Sequence, residues 1–369
     1  MSVRAFLIEA NGIRVEVDLD IGQLSKIVIE RDGRAAAPFH RAPWSDEPGP
    51  VPGTKDAPHL ARISGDFFCA PFGMSDLELA PPHGWPANAP WQPIGATSVD
   101  GGITATFVLD RPVMGALVLK EVTLRDGHPF LYQRHIFENG SGDISVANHA
   151  MVSLPRGGRL SFSPKRWVET PEAALETDPA RGRSLLAYPA KFADLSAFPL
   201  ADGGKADLTT YPFGDRHEDF AMLVEAEGSA LGWSAVLRPR DGDLALMLKD
   251  AARLPATMLW FSNGGRLYPP WNGRHRHVLG VEDACAWSLY GHKASISPNP
   301  LNVLGIPTAV HLDPNGRVDV RHVIGAVPVP RGFQQVCDVR QGDGVVVVED
   351  AAGTTLTLPF DAGFLAAQQ

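Results

Sequence analysis

The sequence predicts an all-β protein of antiparallel sheets with few short helices. Apolar and polar residues alternate with a period of two in several segments, as in strands that have one face on a core and the other in water. Dipeptides typical of tight turns separate these segments. Helical periodicity is weak, and the 37 glycines and 32 prolines suit turns and loops better than long helices.

The predicted strands are clearest in residues 14–19, 103–110 and 355–360, where apolar side chains occupy every second position. Turn dipeptides flank many such runs, namely Asp32-Gly33, Asp126-Gly127, Asn139-Gly140, Asn315-Gly316 and Asp343-Gly344. The best helical pattern covers residues 171–195, where Pro179, Gly182 and Pro189 allow only short helices.

Two regions, residues 35–60 and 155–211, are predicted to be long ordered loops because they are rich in proline, glycine and aromatic residues. Loops of that length are usually functional. No linker divides the chain, so we expect residues 1–369 to form a single domain despite the length.

Composition limits the possible partners. A net charge of −9 and a pI near 5.7 disfavour nucleic acid and anionic membrane surfaces as partners, and favour an uncharged small molecule. No apolar run is long enough to span a bilayer, and the first residues lack the apolar core of a signal peptide. The three cysteines, Cys69, Cys285 and Cys337, form neither a disulfide framework nor a zinc motif. We therefore expect a cytoplasmic protein.

Four segments combine polar, aromatic, glycine and proline residues in a way that plain strands do not. They cover residues 62–73, 83–91, 148–154 and 260–285, and three of them place a histidine or a carboxylate near aromatic residues. Sugar sites use this combination, because aromatic rings cover the apolar face of a pyranose while polar groups bond its hydroxyls. The usual nucleotide, zinc-protease and α/β-hydrolase motifs do not occur.

In order along the chain, these segments resemble the hexose-phosphate mutarotase branch of the galactose mutarotase-like (aldose 1-epimerase) superfamily. CAPFG at 69–73 and HGWPANAPW at 83–91 are similar to two of its motifs, and the strand with Asn148 and His149 is similar to a third. WFSNGG at 260–265 and GVEDAC at 280–285 resemble its later segments. The resemblance implies a large antiparallel β-supersandwich with a sugar on a concave face.

The resemblance also implies a reaction, the interconversion of sugar anomers. Glu282 matches the family's general base and His149 its general acid, which together open the hemiacetal ring. One group removes the O1 proton while the other protonates the ring oxygen, a reaction that needs neither metal nor cofactor.

Further residues are candidates for contacts with the sugar. By resemblance, His83, Arg62 and Asn263 would bond its oxygens and Trp260 would stack against it. Asp219, in a polar cluster before an apolar run, is a weaker candidate for bonding a hydroxyl.

The sequence departs from the family pattern at several positions. Ala87 replaces an arginine, Ala150 and Met151 replace an aromatic pair, and Asp283 replaces a proline. The insert PWNGRHRH at 270–277 supplies Arg274 and Arg276, which are candidates to replace the missing arginine.

Two alternatives to a mutarotase remain open. One is a non-catalytic carbohydrate-binding or regulatory protein on the same scaffold. The other is a glycoside hydrolase or lyase, which would need two opposed carboxylates, and Asp219 and Glu282 are the pair to nominate.

Overall fold

The computed structural model describes residues 4–366, which are built mainly from antiparallel strands. In chain order the strands are β1 (Ala5–Ala10), β2 (Ile13–Asp18), β3 (Leu24–Arg31), β4 (Arg34–Ala36), β5 (Phe68–Cys69), β6 (Trp91–Val99), β7 (Gly102–Leu109), β8 (Leu117–Arg125), β9 (Phe130–Glu138), β10 (Gly142–Ile144), β11 (Val146–Ser153), β12 (Gly158–Phe162), β13 (Lys165–Glu169), β14 (Lys191–Phe192), β15 (Phe198–Pro199), β16 (Lys205–Ala206), β17 (Thr210–Tyr211), β18 (His217–Glu225), β19 (Leu231–Arg238), β20 (Asp243–Asp250), β21 (Ala256–Asn263), β22 (Val278–Cys285), β23 (Val310–Leu312), β24 (Arg317–Pro328), β25 (Val336–Gly342), β26 (Val345–Asp350) and β27 (Thr355–Pro359).

Helices are few and short, as predicted. The described residues contain one α-helical turn, α1 (His292–Ile296), and 3₁₀ turns at Pro58–Arg62, Trp85–Ala87, Leu195–Ala197 and Asn302–Leu304. No helix in this part of the chain is long and apolar enough to cross a membrane.

The best helical pattern, residues 171–195, contains only the start of one 3₁₀ turn at Leu195, and its remaining residues form bends, turns and the short strand β14. Its prolines and glycine divide the segment into short runs, and short helices are marginal unless tertiary packing stabilises them. The predicted loop at 155–211 is wrong in part, since β12 to β17 lie within it.

Two large sheets form the body of the protein. One has nine strands in the order β17-β12-β19-β20-β24-β9-β8-β7-β6, and the other has seven in the order β14-β13-β18-β21-β22-β11-β5. The main apolar core lies between them and includes Val152 of β11, Phe261 of β21, Met247 of β20 and Val122 of β8. This arrangement confirms the predicted all-β antiparallel supersandwich.

Two smaller sheets pack against the nine-stranded sheet. The sheet of β1 to β4 joins the main core through residues such as Val15 and Ile27. The sheet of β25 to β27 forms a separate apolar cluster with the nine-stranded sheet, in which Val346 and Leu358 join Leu246. The predicted alternation is confirmed in β2, β7 and β27, and the predicted turns lie at strand ends.

The seven-stranded sheet separates two environments. Successive residues of a strand point to opposite faces, so Asp283 faces the sandwich interior while Glu282 faces the other side. Asp283 Oδ1 lies 2.9 Å from Lys249 Nζ, and its Oδ2 lies 2.8 Å from His322 Nε2. Burial alone would raise the pKa of Asp283, but the Lys249 ammonium and the His322 contact hold that pKa well below its usual range. A charged network thus replaces the proline that the family resemblance leads one to expect.

Candidate active site

A cavity of about 560 Å³ opens on the face of the seven-stranded sheet to which Glu282 points. This volume lies in the range of small-molecule sites. Four of the predicted site residues line it, namely His83, His149, Trp260 and Glu282. Their side chains come from three separate parts of the sequence.

His149 and Glu282 face each other across two neighbouring strands. β11 pairs with β22 so that His149 lies directly opposite Glu282, and cross-strand partners project to the same face. His149 Nε2 lies 3.2 Å from Glu282 Oε1. Both residues are almost fully buried, with exposed fractions of 4% and 2%. The sheet register alone therefore brings the predicted acid and base into contact.

Burial sets the protonation of this pair. It raises the pKa of Glu282 well above the ordinary 4.5 and lowers the pKa of His149 to about 3, because removing a group from water disfavours its charged form. Within residues 4–366, His149 Nδ1 has no hydrogen-bond partner. Burial therefore favours an uncharged imidazole and a protonated Glu282 carboxyl, so that the pair holds one proton.

Aromatic rings fix the orientation of His149. The Phe67 ring stacks on the imidazole, with ring centres 4.4 Å apart and planes 21° apart. His83 and Trp260 meet it edge-on, each with a centre-to-centre distance of 5.8 Å. Phe67 is held in place because its carbonyl accepts a 2.8 Å hydrogen bond from the His149 backbone N–H. The imidazole thus has one aromatic face contact and two edge contacts.

His83 occupies an unusual backbone conformation at the cavity wall. Its φ of +66° is in the left-handed region, which residues other than glycine rarely adopt. The Gly73 backbone N–H approaches its Nδ1 at 3.4 Å. Burial, followed by the nearby His59 and His149, lowers the pKa of His83 well below its usual range. His83 is therefore an uncharged hydrogen-bonding group beside the acid–base pair.

Trp260 forms a wall that a buried carboxylate supports. Its indole N–H donates to Glu218 Oε1 at 2.5 Å, and its ring stacks on His275 with ring centres 5.2 Å apart. Burial raises the pKa of Glu218 to about 7, although the Arg266 guanidinium opposes that shift. Trp260 is only 6% exposed, so it presents a ring surface of fixed orientation.

Several residues of the cavity wall were not predicted from the sequence, among them Arg266, Tyr268 and Trp271. Arg266 Nε lies 3.0 Å from Glu176 Oε1, and its guanidinium lies 5.0 Å from the centre of the Trp271 ring. Tyr268 donates its hydroxyl proton to Glu176 Oε1 at 2.6 Å. All three follow WFSNGG in the segment 260–285, which was singled out for its composition, but no motif indicated their individual roles.

Arg62 does not line the cavity. Its guanidinium Nε lies 2.8 Å from Asp18 Oδ2, and its guanidinium Nη2 lies 3.2 Å from Asp20 Oδ2. Arg62 ties its 3₁₀ turn to the N-terminal sheet, and that position does not support the predicted contact with a sugar. Its neighbours His59 and Ile63 do line the cavity.

Asn263 and Asp219 also have structural positions rather than the predicted sugar contacts. Asn263 donates to the Gly214 carbonyl at 2.8 Å and accepts from the His277 backbone N–H at 3.1 Å. Both residues lie at the inner face of the sheet, where Asp219 has no exposed surface.

The Asp219 carboxylate accepts from two backbone N–H groups and one hydroxyl and lies 2.7 Å from an imidazole. These partners are Leu185, Leu186, Tyr188 and His217. The carboxylate is fully used within the fold. Asp219 and Glu282 therefore do not form the opposed pair that a glycoside hydrolase needs.

The arginines proposed to replace the missing family arginine lie outside the cavity. Arg274 pairs with the exposed Glu47 at 2.5 Å, and Arg276 lies 4.0 Å from Asp215. Ala87 itself is buried in the turn Trp85–Ala87. Within residues 4–366, no group of three or more His, Cys, Asp and Glu side chains is arranged to hold a metal ion.

Solved structures with the same fold are numerous, although their sequences are distant. A candidate mutarotase from Salmonella typhimurium is 12% identical with a TM-score of 0.55, over 89% of this chain and 91% of its own. A candidate aldose 1-epimerase from Escherichia coli K12 is 11% identical with a TM-score of 0.57, over 89% of this chain and 100% of its own. A galactose mutarotase-like protein from Clostridium acetobutylicum is 10% identical with a TM-score of 0.53, over 88% and 95% of the two chains.

These likenesses concern the fold. The chain has the galactose mutarotase-like supersandwich, which confirms the fold that the ordered motifs imply. No family model matches the sequence, and a search of curated proteins finds no similar one.

Proposed function

We propose that this protein is a sugar mutarotase of the aldose 1-epimerase type, acting on the anomeric centre of an aldose. The observation that carries the proposal is the buried pair of His149 and Glu282, 3.2 Å apart in a cavity of ligand size. The fold shared with candidate mutarotases supports it.

The geometry of the pair suits chemistry at two oxygens on one carbon. The anomeric O1 and the ring O5 are both bonded to C1, so an acid and a base that lie side by side can reach both. Glu282 accepts the O1 proton as the C1–O5 bond breaks, and His149 delivers a proton to O5. The open aldehyde rotates about its C1–C2 bond, and the same two proton transfers in reverse close the ring on its other face.

The reaction also explains why the pair holds a single proton. Burial favours Glu282 as its holder in the free protein. The roles proposed for the two residues therefore require that proton to move to His149 when sugar oxygens replace their direct contact. His83 would bond a sugar oxygen, and the Trp260 ring would cover an apolar face of the pyranose.

Anomer exchange followed by saturation-transfer proton NMR tests the proposal directly. A panel of aldoses and hexose 6-phosphates would be assayed with the parent protein and with the variants Glu282→Gln and His149→Ala. We expect each variant to lose a factor of about 10²–10⁴ in catalysed rate. Glu227→Gln and His311→Ala are matched controls, because their side chains are 86% and 75% exposed and should leave the rate unchanged. Full activity in Glu282→Gln would exclude this mechanism.

The alternative, a non-catalytic carbohydrate-binding protein, predicts a different result in the same NMR experiment. Its signature is saturation transfer from protein to sugar, which reports binding, without faster exchange for any sugar. The observation that favours this alternative is that Ala150 and Met151 replace the aromatic pair of the family pattern.

A further inference from the structure

The cavity wall is far more apolar than a bare sugar requires. Beyond the acid–base pair, much of the lining consists of aliphatic and aromatic side chains, including Leu60, Ile63, Met74, Leu175, Phe220 and Leu289. Among the described residues, no Ser, Thr, Asn, Gln, Asp or Lys lines the cavity. A free hexose carries a hydroxyl on almost every carbon, and hydroxyls buried without partners are strongly disfavoured.

Several of the hydrogen-bonding groups present are already engaged within the protein. His59 Nδ1 lies 2.8 Å from the Asn88 side-chain oxygen, and the Tyr268 hydroxyl donates to Glu176. The principal groups left for a ligand are His83, His149 and Glu282, whose rings and carboxylate lie together. The cavity therefore combines one polar corner with an extensive apolar wall.

The cavity is also poorly equipped to hold an anion. Arg266 is the one Lys or Arg among the lining residues that the structure describes. Two carboxylates already face it, with Glu176 at 3.0 Å and Glu218 at 3.6 Å. A phosphate or carboxylate on the ligand would have to compete with these protein carboxylates, since like charges repel at such distances.

Apolar surface continues from the cavity to its mouth. Met74 lines the cavity and is 56% exposed, and it begins a loop that returns to the cavity at Pro82. In the same loop Leu77 is 48% exposed and Leu79 is 98% exposed. An apolar group that extends beyond the cavity would contact the exposed Met74 side chain.

From these observations we infer the substrate class: an uncharged aldose with a free anomeric centre that carries an apolar substituent such as an acyl or aryl group. The inference rests on the proposed mutarotase function. The anomeric end would occupy the polar corner at His149 and Glu282, while the substituent would lie against the apolar wall and Met74.

The test compares sugars that differ in one group. Glucose, glucose 6-phosphate, 6-O-hexanoyl glucose and N-hexanoyl glucosamine would be assayed for anomer exchange below the concentration at which the acyl sugars form micelles. At least one acyl sugar should show a kcat/KM at least tenfold above that of glucose, and glucose 6-phosphate should not exceed glucose. Equal values for all four sugars, or a preference for the phosphate, would overturn the inference.

Two variants locate the effect. Leu289→Asn and Leu175→Asn place an amide in the apolar wall. Each should reduce the ratio of kcat/KM for the acyl sugar to kcat/KM for glucose at least threefold. Leu304→Asn changes a leucine that is 59% exposed and does not line the cavity, so that variant should keep the ratio. An unchanged ratio in both wall variants, with folding confirmed by circular dichroism, would also contradict the inference.

Calorimetric binding separates this inference from the proposed function. If no sugar exchanges faster than in buffer, the mutarotase proposal fails, and the affinities of the same four sugars then decide the substrate class. A tenfold preference for an acyl sugar would retain the inference about the ligand. Equal affinities, or no binding of any of the four, would overturn it.

Discussion

His40 provides a test of how burial shapes the pH dependence of stability. It is 7% exposed, its Nε2 has no hydrogen-bond partner among the residues that the structure describes, and its ring meets that of His275 with centres 4.7 Å apart. Burial lowers its pKa from the ordinary 6.5 to about 4. The folded protein therefore resists protonation of His40, whereas the unfolded chain accepts the proton at a higher pH.

The sign and size of the effect follow from linkage. Between pH 6.5 and 4 the unfolded chain binds more protons at this position, so the stabilising contribution of His40 is present above pH 6.5 and is lost as the pH falls. If the pKa of one histidine falls from 6.5 in the unfolded chain to about 4 in the folded protein, the free energy of unfolding decreases by about 2 kcal/mol between pH 7 and pH 5. His40→Phe keeps a ring of similar shape and removes the titration.

Urea unfolding followed by tryptophan fluorescence at pH 7 and pH 5 measures this difference. The parent should lose about 2 kcal/mol more stability between the two pH values than His40→Phe. His311→Gln is the matched control, because its side chain is 75% exposed and remains in water in both states. If His40→Phe lost as much stability as the parent on acidification, burial would not control the titration of His40.

Three other predictions concern the site and its support. Asp283→Asn should lower the free energy of unfolding in urea by about 3–5 kcal/mol, because Lys249 stays buried with one charged partner fewer. The exposed Asp46→Asn is the control and should lower it by under about 1 kcal/mol. Similar losses in the two variants would contradict this prediction. Gly280→Ala should lower the exchange rate about tenfold or more, since its Cβ would lie 3.0 Å from both Glu282 Oε1 and Trp260 Cβ and would displace them, and full activity would contradict it. The catalysed rate should fall as the pH rises above the raised pKa of Glu282, because the pair then loses the one proton that the reaction moves, and a parent profile as flat as that of Glu282→Gln would contradict the proposed role of the pair.

The sequence predicted the fold class well because strand alternation is a local property. Val15 and Val17 can be recognised as core residues from their own neighbours. The order of strands within the sheets depends on long-range pairing, which no periodicity encodes, and it became visible only in the structure.

The site was predicted in part, for a related physical reason. His149 and Glu282 lie in regular strands, where the register fixes the direction of each side chain. Asp219 was misinterpreted because its partners, such as the Leu185 backbone N–H, come from a distant irregular segment. Arg266 was missed because it lies in an irregular segment, where no spacing rule reveals which residues face a cavity.

The pairing of β11 with β22 also has a consequence for folding kinetics. Positions 149 and 282 are distant in the chain, and the strands β18 and β21 of the intervening segment lie on the far side of β22 from β11. Contacts of such high sequence separation form slowly, because the entropy of closing a long loop opposes them. Recovery of activity after dilution from denaturant should therefore lag behind the recovery of β-sheet circular dichroism, and the site would report the completion of folding.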